Sequence, residues 1–116
     1  MITYNWSAIP VEQMNPLVTR QVMHGGSITI ARIVIAKGGS VPTHKHINEQ
    51  MMNVVSGCLK VILDGSELTL SGGNTLVVPP NVPHSVEALE DTVAVDVFSP
   101  VREDWIRGDD AYLRQS

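Results

Sequence analysis

At 116 residues the chain has room for one domain with its own apolar core, and it needs no disulfide support. Apolar residues make up 43% and charged residues 17%, a balance that excludes a disordered or fibrous protein. The net charge of −4 supplies no basic field, so nucleic acid is not an expected partner. The first ten residues, MITYNWSAIP, lack the basic start and apolar run of a secretory leader, and no apolar stretch approaches membrane-spanning length. The expected setting is therefore reducing and cytoplasmic.

In chain order, Asn5 to Pro16 reads as a loop lying across the domain, and Thr19 to Met23 as a strand. From Ser27 onward short β-branched runs alternate with glycine and proline punctuation. The expected strands are Ser27 to Ala36, Val41 to Thr43, Gln50 to Val55, Cys58 to Leu63, Leu68 to Leu70, Leu76 to Val78, His84 to Ala88 and Val93 to Phe98. Cys58, the only cysteine, lies in the run CLKVIL and is expected to pack as a small hydrophobe. The tail VREDWIRGDDAYLRQS has room for a helical turn around Arg102 to Arg107, with Trp105 and Tyr112 docking it. Glu103, Asp104, Asp109 and Asp110 read as a solvated acidic face. Many short strands with close turns predict an all-β barrel or sandwich, with residues 1–26 as arm and strand, 27–100 as its core and 101–116 as a packed tail.

Residues 38–57 read GGSVPTHKHINEQMMNVVSG. His44 and His46 are two apart, so on a strand both imidazoles project from one face, as a divalent ion requires. Gln50 shares their parity and Glu49 does not; the sequence offers both as a further ligand, and alternation favours Gln50. His84 follows the turn PPNVPH, whose prolines fix the approach of the chain. Three histidines in this arrangement point to one bound transition-metal ion, and nickel, zinc, manganese, iron and cobalt all remain candidates.

Near the C-terminus the run TVAVDVFSP places one carboxylate inside an apolar strand. Val93, Val95 and Val97 face one way; Ala94, Asp96 and Phe98 face the other. Two readings of Asp96 stand: a proton-transfer group with a raised pKa, or a hydrogen-bonded structural aspartate. Arg102 follows two residues after the strand and reads either as a carboxylate clamp over the barrel mouth or as a solvated charge. Arg32 and Lys45 are weaker candidates.

On these residues the chain resembles the cupin superfamily, whose first motif is matched by Gly38, His44, His46, position 50 and Gly57, and whose second is matched by Gly73, Pro79 and His84. Asn81 stands where that motif has glycine, and Ala88 where it has asparagine. The resemblance implies a jelly-roll barrel. The run His-x-His-x-x-x-Gln, the PPNVPH turn and the closing DVFSPxRED further resemble the KdgF-type cupins of pectin and alginate catabolism, which linearise 4,5-unsaturated monouronates. That resemblance implies metal ligands at His44, His46, Gln50 and His84, and substrate roles for Asp96, Phe98 and Arg102. It also implies a small anionic sugar as substrate and a homodimer, formed by exchange of N-terminal strands. Rival readings on the same barrel are an iron-dependent dioxygenase and a non-catalytic sugar or metabolite binder.

Overall fold

The computed structural model describes residues 1–115. Ten strands form: β1 (Glu12–Asn15), β2 (Val18–His24), β3 (Thr29–Ile35), β4 (Ser40–His44), β5 (Glu49–Ser56), β6 (Cys58–Leu63), β7 (Ser66–Ser71), β8 (Thr75–Val78), β9 (His84–Ala88) and β10 (Thr92–Ser99). All pair antiparallel, in a six-stranded sheet ordered β1-β2-β3-β10-β5-β8 and a four-stranded sheet ordered β4-β9-β6-β7. The two sheets close on one apolar core, to which Ile33, Met52, Val54 and Phe98 come from the first and Leu59, Val61 and Val86 from the second. This is the expected all-β barrel. Among the described residues no helix is long and apolar enough to cross a membrane.

The alternation read from the sequence is what fills that core. On β3, Thr29, Ala31, Ile33 and Ile35 are buried while the residues between them are half-buried. On β10 the inward set is Thr92, Ala94, Asp96 and Phe98. Asp96 is thus the single carboxylate in a row of core positions. Arg32 lies on the outward set of β3, where its guanidinium donates to the Gln21 side chain at 3.4 Å, away from the histidines.

Two turns hold the strands that carry the site. Gly57 joins β5 to β6 at φ 96°, and a Cβ there would run into the Asp91 carbonyl and the Thr92 hydroxyl. Asn81, at the family's glycine position, has φ 61°, so it keeps the left-handed backbone that asparagine tolerates better than most side chains. Its N–H donates to the His46 carbonyl at 2.7 Å and ties the two motif segments together.

Two features at the ends of the chain were not expected, an edge strand near the start and the pairing of two tail carboxylates. Asn5 to Pro16 is not only a loop: a 3₁₀ turn occupies Trp6–Ala8, and Glu12–Asn15 pairs with β2 as an edge strand. The sequence EQMN is short and polar, so alternation gave no sign of it; Met14 and Asn15 are nevertheless buried. After β10, helix α1 (Glu103–Ile106) and a 3₁₀ turn at Ala111–Arg114 fold back, burying Trp105 and Leu113. Asp104 and Asp110 are not part of a solvated face. Asp104 pairs with Arg102 at 2.8 Å, and the buried Asp110 pairs with Arg20 at 2.9 Å and Arg114 at 3.2 Å.

Candidate metal centre

The three histidines converge, each from a different local structure. His44 is the last residue of β4 and His84 the first of β9, and the two are cross-strand partners. His46 lies in the segment between β4 and β5, where the chain crosses from one sheet to the other. One ring nitrogen from each comes within 4.8 Å of the others.

The same device orients all three rings. Each Nδ1–H donates to a carbonyl two residues away: His44 to Pro42 at 2.8 Å, His46 to Asn48 at 3.0 Å, His84 to Val82 at 2.8 Å. A carbonyl only accepts, so Nδ1 carries the proton and Nε2 turns an unshared pair inward. Burial, acting first, pushes His44 down to about 3 and His46 down to about 4, and lowers His84 as well; the Arg102 charge acts in the same direction on all three. The rings are therefore neutral, as metal ligation requires.

Gln50 comes to the same point from the other sheet. It is 4% exposed, and its Oε1 lies 3.1 Å from His46 Nε2. Both atoms offer unshared pairs, and two acceptors this close call for a cation. His84 Nε2 is buried with no hydrogen-bond partner. An orphaned imidazole nitrogen beside two facing acceptors fits a divalent ion and is costly without one. Glu49 is exposed and points outward. The structure thus brings Gln50 and not Glu49 to the histidines, by a route other than the one alternation suggests. The strand of His44 ends there, and Gln50 reaches inward on β5 of the opposite sheet, not by continued alternation.

The residues behind the trio are those of the closing motif. Asp96 and Phe98 share a cavity lining with His44, Gln50 and His84. Asp96 Oδ1 is buried without a hydrogen-bond partner. Desolvation raises the carboxyl to about 7, with the Gln50 amide and the Arg102 charge pulling the other way. Phe98 packs edge-on against His46, with ring centres 5.6 Å apart.

Arg102 is 1% exposed, so it is not a solvated charge. Its Nε and Nη2 donate to Asp104 at 2.9 and 2.8 Å, Nη2 also donates to the Tyr112 hydroxyl at 2.8 Å, and its guanidinium lies against the Phe98 and Trp105 rings. Tyr112 was expected only to dock the tail. Its ring also stacks on His44 at 4.4 Å, and its hydroxyl accepts from Trp105 Nε1. Asn48 is a further supporting residue not foreseen: its carbonyl orients His46 while its amide donates to the Pro100 carbonyl at 2.6 Å. The sequence HKHIN held no sign of either contact. Lys45 is exposed beside His46.

A family model described as a cupin domain matches residues 31–99. The chain belongs to the cupin family. Pectin degradation protein KdgF of Dickeya dadantii is 29% identical to this cupin over 100 residues, covering 84% of this chain and 91% of that protein. The solved structure of KdgF from Halomonas sp. superposes with a TM-score of 0.78 at 29% identity, covering 83% of this chain and 90% of that one. An RmlC-like cupin from Shewanella frigidimarina superposes with a TM-score of 0.83 at 28% identity, covering 88% and 93%.

Proposed function

We propose that this cupin opens the ring of a 4,5-unsaturated monouronate to linear 5-keto-4-deoxyuronate, in the breakdown of pectin or alginate. The observation that carries the reading is the buried carboxyl of Asp96, whose Oδ1 has no hydrogen-bond partner and which lines the same cavity as His44, Gln50 and His84. The likeness to KdgF proteins supports it over most of the chain.

His44, His46, His84 and Gln50 are the residues that would hold a divalent ion. When bound, such an ion supplies Lewis-acid character toward an anionic oxygen ligand, and four neutral donors leave its charge undiminished. In this reading Asp96 takes the proton of the anomeric hydroxyl. The bond between C1 and the ring oxygen breaks, C1 becomes the aldehyde, and the ring oxygen leaves with the electron pair as the C5 enolate. Asp96 then returns its proton at C4, which gives the 5-ketone. Atoms and electrons balance without a further reactant. A carboxyl near neutral pKa suits both transfers. Phe98 forms the apolar wall. Arg102, held by Asp104 and Tyr112, contributes a fixed positive charge more than a two-pronged clamp.

Proton NMR of an unsaturated uronate with the metal-loaded protein tests this. The C4 vinyl signal is expected to disappear faster than in buffer, with the linear ketone appearing and no oxygen consumed. Oxygen uptake with iron supplied, and no faster ring opening, would establish the dioxygenase reading in its place.

A further inference from the structure

The cavity that His44 and His84 share with Asp96 has a volume of about 50 Å³, space for a few waters or for the reacting edge of a ligand whose body lies outside it. A second depression abuts the same centre from outside. It is a groove of about 230 Å³ with His46 in its lining, flanked by Lys45 and Ile47 from the segment after β4 and by Glu103 and Arg107 from α1 and its end.

The chemistry of that groove is specific. Among the described residues neither Lys45 nor Arg107 has an ion-pair partner within 4.0 Å, although the molecule carries a net charge of −4. Asp104, which also lines it, is neutralised by Arg102. That leaves two uncommitted cations and one uncommitted carboxylate, Glu103. Ile47 is 66% exposed and gives the groove an apolar side. Cations for a carboxylate, an acceptor for hydroxyls and an apolar surface for a ring face together match a sugar acid.

We propose that this groove is a sugar-acid binding site at the entrance of the metal centre, with Lys45 and Arg107 pairing the carboxylate and Ile47 packing against the ring. The choice of a sugar acid rests on the ring-opening reading; the site itself rests on the groove's residues. The geometry also assigns carboxylate recognition to two residues that are free to provide it, whereas Arg102 has its Nε and Nη2 engaged.

Isothermal titration with D-galacturonate, a saturated acid that cannot undergo the reaction, tests the proposal on the metal-loaded protein. Wild type is expected to bind galacturonate and not D-galactose. Lys45→Ala and Arg107→Ala should each weaken binding about fivefold, the scale of an exposed ion pair, and the double variant should lose it. Both residues are exposed, so the fold should be kept, which circular dichroism checks. Unchanged affinity in the double variant, equal binding of galactose, or no binding by wild type would overturn the site. The two readings fail separately. If wild type opens unsaturated uronates and the double variant keeps its KM, the groove assignment falls and ring opening stands. If galacturonate binds through Lys45 and Arg107 in a protein that does not accelerate ring opening, the groove stands and the reaction falls.

Discussion

At Asp96 a carboxyl occupies an inward position that its neighbours on β10 fill with Thr92, Ala94 and Phe98. Its charge is disfavoured by burial, and the folded value of about 7 against the ordinary 3.8 makes stability depend on pH. The sign follows from which form the fold prefers. Below 3.8 the group is neutral folded or unfolded and costs nothing; between 3.8 and 7 the unfolded chain ionises more readily, and the folded state loses ground until the loss levels off above 7. In metal-free protein, Asp96→Asn should therefore be more stable than wild type by a few kcal/mol at pH 8 and by little at pH 4.5. Urea denaturation at both values measures this, and an equal difference at both would show that Asp96 is not held neutral by burial. The alternation of TVAVDVF made it legible that this carboxyl shares a face with Ala94 and Phe98, while only the fold shows that face to be the inward one. The partners of Arg102 were not legible, because the Tyr112 hydroxyl reaches it through a fold-back of the tail that no local pattern encodes.

In the C-terminal segment it is the acids that depart from their reading in sequence. Leu113 enters the core, and Asp110, read as a solvated acid, is buried between Arg20 of β2 and Arg114. Asn15 of β1 donates to the Leu113 carbonyl at 3.2 Å, so the undetected edge strand and the undetected turn hold each other. Contacts separated by 90 residues or more in the chain leave no periodic trace. Burial alone would raise the Asp110 carboxyl, but hydrogen bonds from Arg114 and Arg20 outweigh it and keep the group below the usual carboxylate range. A lowered folded pKa gives stability that is present at neutral pH, above the unfolded value, and is lost as pH falls through the folded one. Asp110→Asn should cost about 1–3 kcal/mol at pH 7 and flatten the acid side of the stability curve. Thermal unfolding from pH 3 to 7 checks it; an unchanged acid limb would remove Asp110 from the tail's anchorage.

Across the whole molecule the centre joins the two sheets. His44 and His84 come from the four-stranded sheet, Gln50 from the six-stranded one, and His46 from the crossing between them. The histidines and their glycine and proline frame were legible as motif spacing, whereas the approach of Gln50 from the opposite sheet was not, since spacing carries no information about which sheet a strand joins. An ion held there stabilises the fold by mass action, about 2.7 kcal/mol at a hundredfold excess over Kd. Chelation should lower Tm in wild type, and His84→Ala should lose both the ion, by elemental analysis, and the response to chelator. Full metal retention in that variant would remove His84 from the ligand set. The central claim is the reaction, and the ultraviolet absorbance of an unsaturated uronate reports it directly, because ring opening destroys the conjugation between C4=C5 and the carboxylate. The absorbance should decay faster with metal-loaded wild type than with metal-free protein or buffer, and Asp96→Asn, with its metal retained, should lose roughly a hundredfold or more of that rate. A decay equal to that in buffer, with each candidate metal supplied, would contradict the account.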